Sequence, residues 1–573
     1  MTQSPVPSIV HGSRLEDEPG IGSLTIAGYL SEVVARYGER EALVLAHDPA
    51  TRESWTYNEL WARSVSVAKA LIAADVGKGT RVAVLMTNRP EWIASLFGVA
   101  LAGGVVAALS TFSPAAELEQ LLRASEASLL LYERSVLQTD FGALLCELAP
   151  AFQRQDPGSL TSTQFPFLRR VVALDAITPH SGKVTADARG VELWSRFLER
   201  GATLPDELVS ERARSVHPSD AGGVFFSSGT TSLPKTIVHA QRAFAIQWWR
   251  WPRVLSIKEP ARCWTGNGFF WSANVSMLLG SAFSTGGAVV LQPLFEAEAA
   301  LRVLQSERVT LMSGRPHQWL RLQAAPGWRE ADLSSVHYVT RGELIRQHPT
   351  IRSVWERPNS FGTTETMTIL SAFTADTPAE LRAGSFGAPL PGNTLKIIDP
   401  HTGEVVPRGA RGEIFIKGPT LMLGYGGKAP EEVFDDQGFY RTGDGGYVDD
   451  LGRLYWEGRL NAIIKTGGAN VSPEEVDAAL ALLPGVRRTQ TVGLPHETLS
   501  EMVVSCVVRD AHSTLREDEV ITHLRQRLAS FKVPRRVLFF EEAELTVTGN
   551  DKIKVEGARQ LAATRLGIAS TDS

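Results

Sequence analysis

The first two hundred residues alternate between helical spacing of apolar residues and short runs that are apolar throughout. Thr56 can cap a helix, with Glu59 completing a capping box, and apolar residues then recur at helical spacing: Leu60, Val65, Ala68, Leu71 and Ile72. Glycines follow this helix, and Arg81 to Leu85 comes next as a strand. Repeated helix–turn–strand units predict parallel sheets covered by helices.

One uncharged stretch, Trp92 to Ser110, is about long enough to cross a bilayer. Gly103 and Gly104 interrupt it, and much of the rest is alanine and glycine. We therefore predict a buried helix over residues 91–101, a glycine turn and then a core strand. No integral membrane span is expected.

Between residues 389 and 455 the pattern changes to short β-runs separated by turn residues. These runs, at 394–398, 413–417, 446–448 and 453–456, predict a small antiparallel β unit or barrel. A helical unit then begins, in which Ser472 caps, Pro473 takes the first position and Glu475 closes a capping box. We predict a boundary near Leu460, dividing an N-terminal domain, 1–460, from a small α+β C-terminal domain, 461–573.

Length and composition narrow the class of protein. The chain has 573 residues, too many for one compact core, and its net charge of −5 gives no reason to expect nucleic acid or an anionic membrane as a partner. Three widely separated cysteines, Cys146, Cys263 and Cys506, cannot form a disulfide framework and fit a reducing cytosol. The N-terminus lacks a signal-peptide pattern, so we expect a cytoplasmic protein.

The strongest local signal for chemistry is the run from Phe225 to Lys235, in which an apolar strand leads into a turn rich in hydroxyls. Backbone N–H groups, hydroxyls and a lysine ammonium suit a polyphosphate. The spacing is not that of G-x-x-x-x-G-K-[ST], which excludes a P-loop. For this turn in isolation, a solvated Ser/Thr turn is the alternative interpretation.

Further turns carry groups of the kind that a nucleotide site needs. Ser360 to Glu365 ends in a carboxylate that suits Mg²⁺ or its waters, and Tyr440 to Asp444 ends in one that suits two ribose hydroxyls. The remaining turns carry glycines and basic residues: Gly458-Arg459, Lys465 to Gly468, and Thr548 to Ile553. Each alone is compatible with a surface turn.

Together and in this order, these segments resemble the adenylate-forming superfamily of acyl-CoA synthetases, peptide-synthetase adenylation domains and firefly luciferase. The resemblance begins near Leu24 and covers nearly the whole chain. It implies an α/β fold with a large N-terminal region of two parallel-sheet subdomains and a β-barrel-like piece, followed by a small mobile α+β C-terminal domain. It also implies ATP, Mg²⁺ and CoA, and an active site between the domains.

The resemblance assigns the nucleotide to several segments. The phosphate loop would comprise Ser227, Ser228, Gly229, Thr230, Thr231 and Lys235. A second turn would supply Phe361 to stack on adenine and Thr364 to contact the α-phosphate, within Ser360, Phe361, Gly362, Thr363 and Thr364. Glu365 would support Mg²⁺ and Asp444 would hold the ribose. The adenine would be lined by Gly342, Glu343 and Leu344.

The same resemblance makes Lys552 the catalytic lysine, which bridges the substrate carboxylate and the α-phosphate. Because both partners are anionic, their approach needs a fixed cation. Arg459 would lie at the domain joint near the nucleotide, and Asn461 at the hinge. After the C-terminal domain rotates, the thiol channel for CoA would be lined by Lys465, Gly467 and Gly468.

The sequence departs from the superfamily pattern at several positions. Ser232 and Thr236 replace glycines of the phosphate loop, and Phe361 replaces a common tyrosine. Asn461 stands at the usual hinge aspartate, and Asp551 replaces the glycine before the catalytic lysine. These departures leave the hinge and the geometry of the lysine loop open.

The acyl pocket is predicted from Trp271, Asn274 and His317. Trp271 stands where many relatives carry a pocket histidine, and it is either a wall or gate of the pocket or core packing. The run from Gly314 to His317 is a second wall. A buried helical face is predicted for Trp248, Trp249 and Trp251.

A different enzyme class has matching short motifs. Residues 232–235, 272–274 and 465–467 reproduce in order the signatures of penicillin-binding serine acylases. Each match fixes two or three residues, and none accounts for Asp444, Glu365 or Lys552. A non-enzymatic binding module is also disfavoured, because phosphate-handling turns occur in both predicted domains.

We therefore predict an AMP-forming acyl-CoA synthetase. A carboxylic acid and Mg·ATP would give acyl-AMP and pyrophosphate, and a thiol would then attack the mixed anhydride. CoA is the expected thiol because no carrier domain follows in this chain, with a separate carrier protein as the alternative. The sequence leaves the acid and the oligomeric state open.

Overall fold

The computed structural model describes residues 6–46, 52–175, 188–227, 234–340, 344–460, 464–510, 513–544 and 555–568. Its N-terminal part contains an eight-stranded sheet in which six parallel strands are followed by two more, each antiparallel to the strand before it. In spatial order these described strands are Val191–Leu193, Arg170–Ala173, Leu129–Tyr132, Arg81–Leu85, Val105–Ala108, Ala221–Ser227, Lys235–Ala240 and Gly424–Tyr425.

A second sheet of the described region has four parallel strands and an antiparallel edge: Leu311–Ser313, Arg262–Thr265, Ala288–Leu291, Glu41–Leu45 and Glu53–Thr56. The largest core lies between the two sheets and takes residues from both. Alternate residues of a strand face opposite sides: Val82 and Val84 face this core, whereas Ala83 and Leu85 face a separate one. Both sides are buried, which explains the uninterrupted apolar runs.

Three of the described helices that contribute to this core are Tyr57–Ala73, Pro90–Leu101 and Gln241–Val254. The predicted capping box is confirmed, since Thr56 Oγ1 accepts from the Glu59 N–H at 3.1 Å and the Glu59 carboxylate accepts from the Thr56 N–H at 2.7 Å. The predicted helical face of Trp248, Trp249 and Trp251 is buried. Its burial is therefore confirmed.

The uncharged stretch forms a helix, a turn and a central strand, as predicted. None of the described helices is long and apolar enough to cross a membrane. The remaining described helices of the N-terminal part are Ile26–Tyr37, Ala115–Ser125, Phe141–Leu148, Ala151–Arg154, Trp194–Glu199, Asp206–Arg214, Leu279–Phe283, Ala297–Ser306, Pro316–Gln323 and Ala379–Arg382.

An antiparallel sheet follows the two parallel ones and confirms the predicted β unit. Its described strands are Ile9–His11, Thr394–Ile398, Gly412–Lys417, Tyr440–Val448 and Leu454–Arg459. The edge strand Ile9–His11 comes from the start of the chain, and no local pattern indicated that it would pair with residues almost four hundred positions away.

The C-terminal part is built on the long hairpin Val486–His496 and Ser500–Arg509. The further strands of this described sheet are Ile464–Thr466, Ala469–Val471 and Arg536–Phe540. Three helices pack on it: Pro473–Ala481, Glu517–Arg525 and Val555–Leu566. The small α+β unit predicted for this part is confirmed.

The start of the helix Pro473–Ala481 differs from the prediction in one respect. Ser472 caps it, its hydroxyl accepting from the backbone N–H of Glu475 at 3.4 Å. The predicted capping box is wrong, because the Glu475 carboxylate turns away and accepts from Lys532 Nζ at 2.8 Å. The charged ammonium of Lys532 is a stronger partner for a carboxylate than a neutral backbone N–H.

Candidate active site

The predicted phosphate loop leaves the carboxyl end of the strand Ala221–Ser227. Ser227 pairs across the sheet with Lys235, whose Nζ lies 5.3 Å from the centre of the Tyr425 ring. Residues 228–233 lie outside the described part. In parallel sheets, ligands bind at the carboxyl ends of strands, and both ends of this loop lie at that edge.

His239 holds the second predicted turn, Thr364–Thr366, in position. His239 Nε2 donates to the carbonyl oxygen of Thr364 at 2.8 Å. The imidazole is fully buried, and burial lowers its pKa to about 4, so it is neutral at physiological pH. The strand Lys235–Ala240, which follows the predicted phosphate loop and carries His239, therefore also fixes the position of Thr364.

The carboxylate of Glu365 is held by two tyrosines. Tyr425 donates its hydroxyl proton to Glu365 Oε1 at 2.8 Å, and Tyr440 donates in turn to the Tyr425 oxygen at 2.7 Å. Burial, helped by the charge of Glu365, raises the pKa of Tyr425, which keeps this donor protonated.

This arrangement leaves the other oxygen of Glu365 available. Oε2 receives no hydrogen bond from the residues that the structure describes. Mg²⁺ bound to ATP usually takes one or two protein carboxylates, with phosphates and waters as its other ligands. A single oriented carboxylate therefore fits the predicted role, and no described cluster of three or more His, Cys, Asp or Glu side chains competes for a metal.

The turn before Glu365 needs a glycine. A Cβ at Gly362 would overlap the carbonyl oxygen of Thr368, so a side chain there would push the turn out of place. Phe361 precedes it in the short strand Ser360–Phe361 and is mostly buried. Thr363 takes part in the turn through its backbone, which accepts from Thr366 Oγ1 at 3.0 Å.

Asp444 is buried in the strand Tyr440–Val448. Its Oδ1 accepts from the indole N–H of Trp456 at 3.0 Å, and its backbone N–H donates to Thr442 Oγ1 at 3.0 Å. The backbone of Arg459 lies directly opposite on the next strand. Lys465 Nζ lies over the Trp456 ring, 3.6 Å from its centre. Trp456 thus connects two predicted site residues on different domains.

Two cavities meet where the domains meet. The first, of about 200 Å³, is lined by residues of both predicted phosphate turns, Ser227 and Thr364, and by Gly468 and Lys532 of the C-terminal part. The second, of about 220 Å³, lies between Gly266–Gly268 and C-terminal residues that include Thr466, Gly467 and Arg535. Both are lined by Trp271, Arg315, Ala469 and Phe531.

Residues 30–426 match the family model of the AMP-binding enzymes, and residues 475–551 match that of the AMP-binding enzyme C-terminal domain. The first match alone spans well over half of the chain. The chain belongs to the AMP-binding enzyme family. The resemblance drawn from the sequence is therefore confirmed. The predicted boundary at 460/461 falls between the two matches and stays a prediction.

Named relatives align with this AMP-binding enzyme over nearly its full length. The indoleacetate–CoA ligase of Aromatoleum aromaticum is 31% identical, over 90% of this chain and 95% of the relative. The mitochondrial medium-chain acyl-CoA ligase ACSF2 of Danio rerio is 27% identical, over 98% of this chain and 91% of its own.

Solved structures agree on the fold. The amide bond synthetase McbA of Marinactinospora thermotolerans gives a TM-score of 0.71 at 24% identity, covering 94% of this chain and 99% of that one. The o-succinylbenzoate CoA synthetase MenE of Bacillus subtilis gives 0.68 at 22%, covering 93% and 98%. The predicted fold class of this AMP-binding enzyme is confirmed.

The predicted acyl-pocket residues differ in their positions. Trp271 is partly buried and lines both cavities. Asn274 is buried, and its Nδ2 donates to the carbonyl oxygen of Gly268 at 2.9 Å, which fixes the loop that carries Trp271. Asn274 lines neither of these two cavities. His317 belongs to the helix Pro316–Gln323, and its side chain lies outside the described part.

Several other predicted residues of this AMP-binding enzyme also lie outside the described part. They are Ser228, Gly229, Thr230, Thr231, Gly342, Glu343, Asn461, Lys552 and the side chain of Arg459. Leu344 follows the undescribed adenine segment, starts the short helical turn Leu344–Gln347 and packs against the core.

Sequence reasoning missed a buried ion cluster at the domain junction. Lys532 Nζ donates to Glu117 Oε1 at 2.9 Å and to Glu475 Oε1 at 2.8 Å. Burial lowers the pKa of Lys532, but the two carboxylates outweigh it and the net shift is upward. Burial raises the pKa of Glu475 more than Lys532 lowers it, since two carboxylates share one ammonium. Nothing local to these three residues indicated the cluster.

Proposed function

We propose that this AMP-binding enzyme is an AMP-forming acid–CoA ligase. A carboxylic acid attacks ATP to give acyl-AMP and pyrophosphate, and the thiol of CoA then displaces AMP to give the acyl-CoA thioester. The prediction of an acyl-CoA synthetase is confirmed by the relatives, whose names include acyl-CoA and indoleacetate–CoA ligases aligned over most of the chain.

The observation that carries this proposal is the meeting of the two cavities. Predicted phosphate-turn residues of the N-terminal part and Gly468 of the C-terminal part line the first cavity, and Gly467 lines the second, which shares four residues with the first. An acyl group activated at Thr364 is therefore next to a channel through which a thiol can arrive. Proximity of this kind converts a bimolecular transfer into an effectively unimolecular one.

The residues of the chain act by binding and orienting. Ser227, Lys235 and Thr364 hold the phosphates, and Asp444 accepts from the ribose hydroxyls. Glu365 would hold Mg²⁺, and the metal would neutralise phosphate charge. Lys552, as the resemblance implies, brings the carboxylate and the α-phosphate together.

Further features of the proposal concern location and acceptor. The finer expectation is a cytoplasmic enzyme that uses free CoA, with domains at 1–460 and 461–573. A separate carrier protein is the alternative acceptor.

The test is an acid panel with and without CoA. The panel includes arylacetic acids and medium-chain fatty acids, because the named relatives act on acids of these kinds. We expect pyrophosphate release that depends on the acid, and a thioester that appears only when CoA is added. Hydroxamate formed with hydroxylamine but no thioester with CoA would instead indicate a carrier protein, and pyrophosphate release with no acid dependence would contradict the proposal.

A further inference from the structure

The joint between the two cavities holds a cation, Arg315, that has no counter-ion among the described residues. Arg315 follows the strand Leu311–Ser313, at the carboxyl edge of the second parallel sheet, and lines both cavities. Its guanidinium carbon lies 4.2 Å from the centre of the Trp271 ring. The indole face therefore holds the planar cation in place on one side.

The C-terminal part of the chain also contacts this guanidinium. A Cβ at Gly468 would overlap Arg315 Nη1, so the two are in direct contact. Gly468 has a φ of +75°, which favours glycine on its own account. The absence of a side chain at 468 thus lets Arg315 reach the segment that the family resemblance places in the thiol channel.

The charge of Arg315 is not neutralised by the described part of the chain. Nε is buried without a hydrogen-bond partner, and no described carboxylate forms an ion pair with the guanidinium. Burial lowers the pKa of Arg315 to about 10, which still leaves it protonated at neutral pH. A desolvated cation without an anion is costly, so an anion supplied during the reaction would be bound tightly.

Three anions could reach this point: a phosphate, a second charged group on the acid, or the oxygen that becomes negative when the thiol attacks. The run from Gly314 to His317 is a predicted wall of the acyl pocket, but a charged group at the far end of the acid would bind deep in that pocket. Arg315 lies instead where the two cavities share their lining residues. The contact with Gly468 also ties Arg315 to the domain arrangement in which the thiol enters. The position of Arg315 therefore favours the oxygen that becomes negative when the thiol attacks.

We propose that Arg315 is a catalytic residue of the thioester-forming half-reaction, and this inference rests on the proposed function. The thiolate of CoA, its proton lost to water, forms a C–S bond with the carbonyl carbon of acyl-AMP, and the carbonyl electron pair moves onto oxygen. The Arg315 guanidinium donates to that oxyanion. When the carbonyl re-forms, the C–O bond to phosphate breaks and AMP leaves with the electron pair.

The test separates the half-reactions in the full-length enzyme. Arg315→Met removes the charge at similar volume, and Arg315→Lys keeps it. Arg321→Met is the matched control, because Arg321 is on the next helix, stacked 5.2 Å from the Phe295 ring centre and outside both cavities. Adenylation is measured by acid-dependent ATP–pyrophosphate exchange, and thioester formation by a single turnover of supplied acyl-AMP with CoA.

We expect Arg315→Met to slow the single turnover on the order of a hundredfold while exchange changes little. Arg315→Lys should recover part of the rate, and Arg321→Met should alter neither assay. If Arg315→Met melts early, Gly468→Ala gives a second test, since its methyl group displaces the guanidinium and should slow the same step.

Other results overturn the inference. Equal loss in both assays at an unchanged melting temperature would make Arg315 a phosphate ligand. A changed acid preference with an unchanged single-turnover rate would make it a ligand for a charged group of the acid. Failure of the parent enzyme to form any thioester would instead overturn the proposed function, and the parent assay shows this before any variant is compared.

Discussion

At the scale of single residues, Trp456 does the most to organise the predicted site. Its N–H donates to Asp444 and its ring face carries Lys465, so one indole positions the carboxylate proposed to bind the ribose and a residue of the proposed thiol channel. A hydrogen bond to a carboxylate favours the ionised form and fixes its direction. Asp444 was predicted from its motif, whereas Trp456 was predicted only as part of a β-run.

A prediction about Trp271 also belongs to the scale of single residues. Because Trp271 is partly buried and lines both cavities, we expect Trp271→Ala to enlarge the acyl side and to shift preference toward bulkier acids, with the ATP requirement little changed. Trp248→Ala is the control, since Trp248 is fully buried and should lose about 3–5 kcal/mol of stability. The acid panel is run beside a thermal melt. Equal loss of stability in both variants without any change in acid preference would mean that Trp271 is core packing.

At the scale of elements, hydrogen bonds connect the second predicted phosphate turn, Thr364–Thr366, to the strand and the helix that follow the first. The strand Lys235–Ala240 holds the turn Thr364–Thr366 through His239, and the helix Gln241–Val254 holds it through Gln247, whose Nε2 donates to the Thr366 carbonyl oxygen at 3.0 Å. Neither contact involves the ligand. Both set the distance between the strand that carries Lys235 and the turn that carries Thr364.

The buried His239 predicts that the stability of the protein depends on pH. Burial lowers the pKa of His239 from 6.5 to about 4, so its contribution is complete above pH 6.5 and is lost as the pH falls to about 4, where only the unfolded chain binds the proton readily. The contribution is at most about 3 kcal/mol. In His239→Gln, whose amide can still donate to Thr364, we expect the free energy of unfolding to fall less between pH 6.5 and 4. Parallel curves for parent and variant in chemical denaturation would contradict this.

At the scale of the whole molecule, the buried cluster of Lys532, Glu117 and Glu475 joins the two domains. Glu117 belongs to the helix Ala115–Ser125 of the N-terminal part, whereas the other two residues belong to the C-terminal part. Such a cluster exists only while the domains are docked as they are here. It therefore favours the arrangement in which the Gly467–Gly468 segment faces the cavities.

We expect Lys532→Met to destabilise this docking, because it leaves two buried carboxylates facing each other. Breaking a buried pair in this way typically costs about 3–5 kcal/mol. The thioester half-reaction should slow more than adenylation. Lys396→Met is the control, since Lys396 is similarly buried and pairs with Asp435 at 2.7 Å within one domain. A control that slowed the two half-reactions in the same ratio as Lys532→Met would exclude a docking role.

Lys552 provides the complementary prediction. As the resemblance implies a lysine for adenylation only, Lys552→Ala should reduce acid-dependent pyrophosphate exchange a hundredfold or more and leave the turnover of supplied acyl-AMP nearly unchanged. The two variants should then have opposite patterns, Lys532→Met affecting transfer and Lys552→Ala affecting activation. The same loss in both half-reactions for Lys552→Ala would indicate misfolding or another role.

The sequence by itself determined what depends on neighbouring residues. The capping box of Thr56 and Glu59, the strand at 394–398 and the buried face of Trp248 follow from periodicity and local hydrogen bonding, which act over a few residues. The order of the motifs also determined the family, since a joint match along the chain is specific even where each turn is not.

Only the tertiary structure decided the partners that side chains find across the fold. Glu475 has the spacing of a capping box but binds Lys532, 57 residues away, and Lys532 also binds Glu117, 415 residues away. Trp271 and Arg315 follow neighbouring strands of one sheet, and Arg315 contacts both Trp271 and Gly468 of the C-terminal part. Burial makes such partnerships strong, and burial depends on how distant elements pack, which no local pattern contains.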